Sequence, residues 1–371
     1  MATVQALEFE WWDWSNIEGE LADPSFFLTR ESRYPLSDAP RVASMFAGCG
    51  GMDLGLAWAG YEIVYANEID HVASATYERN LGLKVDTRPV EEVDVETVPD
   101  HDLLVGGFPC QPFSYAGKRD GLRDPRGMLF FSLVDVLDAK RPNFFIFENV
   151  KGLRTHAKGE TFRSVSKALT DIGYRFEYGV LNALRFGCSQ QRERIFLVGI
   201  RDDLKGQFAF PSFALPMVSV KDAIDDLVGR TDVPNNEPMK HTSRILERYK
   251  HVPQGGSLAD VPAEHQQRKR GAPHLVSGKQ STQSYRRMRE GEPSPTVCAM
   301  FQAHFIHYSQ DRNLTAREAA RLQSFPDDFV FEGKRTVMSW EDELSQYAQI
   351  GNAVAPRVAY ALGRGLYEQV F

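Results

Sequence analysis

Between residue 42 and about residue 200 the chain alternates short apolar runs with stretches of helical periodicity. Expected strands are Val42–Phe46, Glu62–Ala66, Asp102–Val105, Asn143–Phe147, Arg175–Leu181 and Ile195–Ile200. Helical patterns lie between them, as at Leu54–Trp58, Ala73–Asn80 and Leu129–Leu137. Strands that alternate with helices pair in parallel, because a parallel connection needs a crossover long enough to hold a helix. The expected fold is therefore α/β, built on a parallel sheet. Residues 205–300 break the alternation. They are rich in Pro, Gly, Gln, His and basic residues, with little sustained periodicity, and read as a separate, irregular domain. A helix follows at Thr315–Leu322, where Thr315 and Glu318 have capping-box spacing. A last helical pattern runs from Pro356 to the end.

Composition excludes several classes. The 371 residues suffice for two domains at roughly 100–200 residues each. Hydrophobic residues at 42%, charged residues at 25% and a mean hydropathy of -0.37 are ordinary for a soluble globular protein. No stretch approaches the roughly 20 apolar residues of a membrane span. The N-terminus carries acids where a signal peptide needs a basic region and an apolar core. Cys49, Cys110, Cys188 and Cys298 lie far apart with no metal-ligand spacing, so no metal site and a reduced, cytoplasmic setting are expected. The net charge of -7 argues against general nucleic-acid stickiness, but residues 240–290 hold eleven Lys or Arg against four Asp or Glu. Such a local basic patch is what DNA would meet. Residues 1–40 hold eight acids against two arginines, and carry Trp11, Trp12 and Trp14. Those aromatics read as packing onto the main domain, with partner binding as the alternative.

Open α/β sheets bind ligands at the carboxyl ends of their strands. Four polar or glycine-rich segments follow four of the expected strands: Ala47–Gly55, Asn67–Asp70, Gly106–Ser114 and Glu148–Val150. The first has glycines at 48, 50, 51 and 55, and Glu68 stands about 20 residues on, where a carboxylate can bind ribose hydroxyls. The pair points to an adenosyl cofactor, and no phosphate-binding P-loop pattern is present. Cys110, between Pro109 and Gln111, is presented as a nucleophile would be, although a lone cysteine is usually a small buried hydrophobe. Glu148 is a candidate proton donor or a plain turn acid. Arg192 and Arg194, in Gln190-Gln191-Arg192-Glu193-Arg194, either form ion pairs on the strand's flank or hold an oxygen of a bound base.

Taken in order, these motifs resemble those of the DNA (cytosine-5) methyltransferase family, over residues 42–200 and 312–371. Phe46-Ala47-Gly48-Cys49-Gly50-Gly51 is similar to the family's cofactor loop, and Glu68 to its ribose-binding acid. Gly107-Phe108-Pro109-Cys110-Gln111 is similar to its nucleophile loop, and Glu148-Asn149-Val150 to its protonating motif. Gln190–Arg194 resembles its Gln-x-Arg-x-Arg run. Arg312-Asn313-Leu314-Thr315 with Arg317-Glu318, Arg321-Leu322-Gln323 and Phe325-Pro326 resembles the helix before the chain returns. Gly351-Asn352-Ala353-Val354 resembles the closing motif of the cofactor pocket. Three positions depart from the family pattern. Pro89, or Asp86 with a shift, stands where an acid contacts adenine, Ala116 replaces a serine of some relatives, and Ser324 replaces a common glycine.

The resemblance implies a Rossmann-like S-adenosylmethionine-dependent methyltransferase domain with a smaller, irregular target-recognition domain. Its divisions are an N-terminal extension at 1–40, a catalytic domain at 41–204, a recognition domain and hinge at 205–340, and a returning segment at 341–371. It implies that Cys110 adds to carbon 6 of a flipped cytosine, that Glu148 serves ring nitrogen 3, and that Arg194, helped by Arg192, holds oxygen 2. S-adenosyl-L-methionine would lie against Phe46, Gly48, Gly50, Gly51, Glu68, Ile69, Pro109, Asn352 and Ala353. Gln111, Ser114, Gln283, Arg286 and Thr296 would meet double-stranded DNA. The implied setting is a monomeric, nucleoid-associated bacterial modification enzyme, with a restriction endonuclease acting on the same site as a candidate partner. A tRNA cytosine-5 methyltransferase of the same fold and a catalytically inactive DNA-binding regulator are the alternatives.

Overall fold

A computed structural model describes residues 12–27, 29, 38–108, 128–262, 285–299, 305–337, 341 and 343–370. Six strands form one sheet: β1 (Arg41–Met45), β2 (Glu62–Asn67), β3 (Leu103–Gly107), β4 (Phe144–Val150), β5 (Tyr174–Asn182) and β6 (Glu193–Arg201), in the order β2-β1-β3-β4-β6-β5. The first four pair in parallel, through the crossovers α2 (Gly51–Trp58) with α3 (His71–Leu81) and later α4 (Met128–Lys140). β1, β3 and β4 are short apolar runs because helices cover both faces, whereas β2, at the sheet's edge, is only partly buried. Val42, Leu103, Val105, Phe144 and Ile146 face one core, and Ala43, Met45, Leu104, Phe145 and Phe147 face the other.

One expectation is corrected. The sheet is not wholly parallel, since β6 runs antiparallel to both β4 and β5. The helix α5 (Glu160–Asp171) carries the chain from β4 to β5, but residues 183–192 hold only a single 3-10 turn at Ala183–Phe186. A link of that kind closes a hairpin and cannot make a parallel crossover. The reversal places the start of β6, rather than its end, beside the carboxyl end of β4.

Residues 12–27 pack on the main core. The helix α1 (Ser15–Ala22) packs on the C-terminal helix, with Ile17 and Leu21 fully buried. The Trp14 ring meets Phe208 and Phe213 at 6.4 and 6.0 Å between centroids. Trp12 also packs on this core, which favours the packing reading of the aromatics, and Trp11 lies outside the described residues.

Residues 205–340 contribute to two apolar clusters. Tyr249, Val252, Val261 and Ile306 form a small cluster of their own, around α7 (Ser243–Lys250) and the two-residue strands β7 (Arg286–Arg287) and β8 (Phe305–Ile306). The helices α6 (Val220–Ile224) and α8 (Ala316–Leu322) instead join the large core. Helix α8 can do so because Ala316, Ala319 and Ala320 allow close approach and every residue but Arg321 is buried. Its N-terminus is the capping box expected at Thr315, with Glu318 returning the bond. Helices α9 (Gln346–Asn352) and α10 (Pro356–Val370) then bring the chain back to α2. Among the described residues no helix is long and apolar enough to cross a membrane.

Candidate active site

The carboxyl ends of β1, β2, β3 and β4 open on a cavity of about 380 Å³. Its first wall is the turn after β1. Gly50 caps α2 at a φ of +92°, in the left-handed region that glycine enters without a Cβ penalty. Gly51 lies so close to the returning chain that a Cβ there would sit 2.4 Å from the Val354 carbonyl oxygen. At the end of β2, Glu68 accepts the Gly48 and Asp70 N–H groups, each at 2.9 Å, one on each carboxylate oxygen. Burial raises its pKa while those amides oppose the rise. A carboxylate has about four acceptor directions, so roughly two remain for a ligand's hydroxyls.

Of the residues expected to hold the cofactor, Phe46, Gly48, Gly51, Glu68, Asn352 and Ala353 line this cavity. Gly50 and Ile69 are not in its lining. Gly50 shapes the turn behind it, and the Ile69 side chain is 60% exposed. Pro109 lies outside the described residues. Asp86 is committed elsewhere: its carboxylate pairs with Arg88 at 2.6 Å and accepts the Tyr65 hydroxyl at 2.8 Å, which holds its pKa down at about 2. Pro89 begins a 3-10 turn.

The second wall is made by β4 and β6. Val150 pairs with Arg194 across the antiparallel ladder, which brings the Arg194 side chain to the end of β4. Its Nε donates to Glu148 Oε1 at 2.9 Å, and both side chains are largely buried and line the cavity. Burial pushes the Glu148 carboxyl upward, against the pull of Arg194 and Arg192. Asn149 donates to the Phe108 carbonyl at 2.8 Å, tying this wall to the end of β3. Cys110, Gln111 and Ser114 follow Phe108 in sequence and lie outside the described residues, as does Gln283.

Arg192 does not line the cavity with Arg194. It is 3% exposed, and its guanidinium donates to the carbonyls of Val297, Gly351 and Ala353. Thr296 lies beside it, with its hydroxyl donating to the Gln191 carbonyl at 2.6 Å. Arg286 is half-buried in β7, on the small cluster, and is not in the lining of the cavity. Its neighbour Arg287 is buried and binds the carbonyls of Tyr249, Val252, His307 and Gln310.

Sequence reasoning gave no role to three groups at or behind the site. Leu344 and Gln349 line the cavity, yet they precede the motif that marked this segment. Asp53, fully buried beneath the glycine turn, accepts the Ser44 hydroxyl at 2.9 Å, and burial lifts its pKa to about 6. An acid in the first turn of an apolar helix was the available signal. Gln190 and Gln323 bond to each other, both fully buried. Cys49 and Cys188 are buried free thiols with pKa values raised by burial, as structural cysteines should be.

Comparisons with known proteins bear on the family and the fold. A family model described as C-5 cytosine-specific DNA methylase matches residues 40–368. The chain is 38% identical over 361 residues to type II methyltransferase M.DdeI of Desulfomicrobium norvegicum, covering 86% of this chain and 87% of that one. It is 36% identical to type II methyltransferase M.NgoFVII of Neisseria gonorrhoeae, covering 89% and 87%. Among solved structures, the S. pombe Dnmt2 methyltransferase superposes with a TM-score of 0.61 at 18% identity, over 89% of this chain and 99% of that one, which is a likeness of fold.

Proposed function

The chain belongs to the C-5 cytosine-specific DNA methylase family, and from that premise we propose how its residues carry the reaction. The reaction is transfer of a methyl group from S-adenosyl-L-methionine to carbon 5 of cytosine in DNA. The cavity suits that cofactor: a glycine turn lets a ligand approach the backbone, and Glu68 keeps acceptor directions free within the lining. Phe46, Gly48, Gly51, Glu68, Asn352 and Ala353 would hold it, and when bound it supplies an electrophilic methyl.

Carbon 5 of cytosine is a poor nucleophile, so the protein must push electrons into the ring. In this reading the Cys110 thiolate adds to carbon 6, and the displaced electron pair makes carbon 5 nucleophilic. Glu148 gives a proton to ring nitrogen 3, which takes up the charge that the addition creates. Arg194 holds oxygen 2, a carbonyl acceptor suited to its planar donors, while its bond to Glu148 fixes the carboxyl's direction. After methylation a base takes the carbon 5 proton, the thiolate is eliminated and ring nitrogen 3 returns its proton to Glu148, which restores both residues. A base stacked in a duplex cannot reach this wall, so the cytosine is flipped out at a cost of roughly a few kcal/mol.

The observation that carries the reading is the Glu148–Arg194 pair, set in the same cavity as the Glu68 turn. The small cluster around α7, β7 and β8, with its basic surroundings, would read a short DNA sequence, with the duplex between it and the sheet edge. Action as a monomer, beside an endonuclease cutting the same site, completes the proposal.

The test is covalent trapping. Fluorine at carbon 5 cannot leave as the proton does, so a duplex carrying 5-fluorocytosine at the methylated site should form an adduct that survives denaturation. Cys110→Ala should form none. An equal adduct in that variant, or no adduct with the active wild-type protein, would refute the role of Cys110.

A further inference from the structure

Arg192 stands two residues from Arg194, yet it is not in the lining of the cavity, and its guanidinium hydrogen-bonds to backbone carbonyls. Its Nη1 donates to the Val297 carbonyl at 2.8 Å. Its Nη2 donates to the carbonyls of Gly351 and Ala353, at 3.0 and 2.9 Å. One rigid, planar group therefore holds two segments that lie more than 50 residues apart in sequence. The first adjoins Thr296 and leads back to the small cluster. The second carries Asn352, which lines the cavity.

A parallel chain of amides joins the same two segments. Gln190 accepts the Val297 N–H at 2.8 Å and donates to Gln323 at 3.1 Å. Gln323 in turn donates to the carbonyls of Ile350 and Ala353, at 2.7 and 2.6 Å. Both backbone polar groups of Val297, and three carbonyls around Asn352, thus depend on one buried network. The segments also touch directly, because a Cβ on Gly351 would lie 2.2 Å from the Cys298 carbonyl carbon. A network this buried has little freedom to adjust one end alone, since any unpaired group would be left without water.

We propose that Arg192 is a positioning residue that couples the two binding sites, so that cofactor in the cavity tightens the hold on DNA and DNA tightens the hold on cofactor. Fixing Asn352 fixes the carbonyls on either side of it. Through Arg192 that ordering reaches Val297 and its neighbour Thr296, and the second ligand meets a segment already in place. The coupling is reciprocal by thermodynamic necessity. The inference rests on the assignment of 351–353 to the cofactor and 296–297 to the DNA, and needs no chemistry at Cys110.

The experiment is a binding cycle without turnover. The dissociation constant of a duplex bearing the methylated site is measured with and without saturating S-adenosylhomocysteine, for the wild-type protein and for Arg192→Lys. A single ammonium cannot span both sets of carbonyls. The wild-type ratio should be on the order of 10, within the usual range of such couplings, and the variant's ratio should fall below about 2. A merely structural role would weaken each binding step and leave the ratio unchanged, which would overturn the proposal, as would a wild-type ratio near 1. If Arg192→Lys does not fold, Gln190→Met breaks the Val297 and Gln323 links while leaving the guanidinium in place. Its ratio should fall below the wild-type value, and an undiminished ratio would count against the network. Loss of Cys110 chemistry would show in the trapping test and leave this ratio intact.

Discussion

Burial lifts the Glu148 carboxyl above the ordinary carboxylate range, while the Arg194 guanidinium 2.9 Å away pulls the other way. A proton donor benefits from that direction, because the protonated form persists to higher pH. Glu148→Gln should lower the methyl-transfer rate by roughly 10²–10⁴-fold, with S-adenosylhomocysteine affinity near wild type. Because the pKa is raised, the wild-type single-turnover rate should fall as pH rises through it, a limb that the glutamine variant lacks. A variant as fast as wild type would remove Glu148 from the chemistry. Asp53 obeys the same physics without touching substrate. Its pKa rises from 3.8 to about 6, so the folded chain binds the proton more tightly than the unfolded chain. That contribution is complete below about pH 4 and is lost as pH rises through about 6, on the order of 3 kcal/mol. Asp53→Asn should therefore gain stability over wild type between pH 4 and pH 7, as read by urea unfolding at each pH. An unchanged difference between the two proteins would contradict this. Arg192 shows where residue reading stops. Side chains two apart share a face only within a strand, and β6 begins at Glu193. Arg192 lies just outside, and its side chain turns to the carbonyls instead.

Strands β1, β3 and β4 were legible because each is a short apolar run largely buried on both faces, a pattern that few other elements produce. Direction was not legible in the runs themselves, since periodicity is the same read either way. It lay in the link: residues 183–192 have no helical period, and a connection without a helix turns the chain back on itself. The consequence is functional, because only an antiparallel β6 brings Arg194 to the end of β4. Helix α8 was legible to its cap. Thr315 accepts the Glu318 N–H at 3.0 Å, and Glu318 accepts the Thr315 N–H at 2.8 Å. The Thr315 hydroxyl also donates to Asn236 at 2.8 Å. Thr315→Ala should cost about 1–2 kcal/mol in urea unfolding, the upper part of the range for such caps because a buried partner is also lost. A cost near zero would show that packing of the alanines alone holds the helix. What the sequence did not disclose was that α8 sits in the large core, since tertiary burial of a helix this short leaves no period of its own.

At the scale of the molecule, one sheet edge gathers what five distant stretches of sequence supply. Glu68, Glu148 and Arg194 come from strand ends, the glycine turn from the first crossover, and Asn352 from the returning chain. The motifs were readable because each sits where the fold needs an unusual residue type. That residues 205–340 feed two apolar clusters was not, because core contacts are not written in composition. In the proposed mechanism that edge works as a single centre, in which Cys110, outside the described residues, would perform the addition. The most direct measurement is base-resolution mapping of 5-methylcytosine in a bacterial host lacking its own cytosine methylation, expressing either the wild-type chain or Cys110→Ala. The wild-type chain should methylate one short motif throughout the genome, and the variant, expressed and folded to the same level, should leave it unmethylated. Methylation of that motif by the variant, or none by a folded wild-type protein that binds S-adenosylmethionine, would contradict the account.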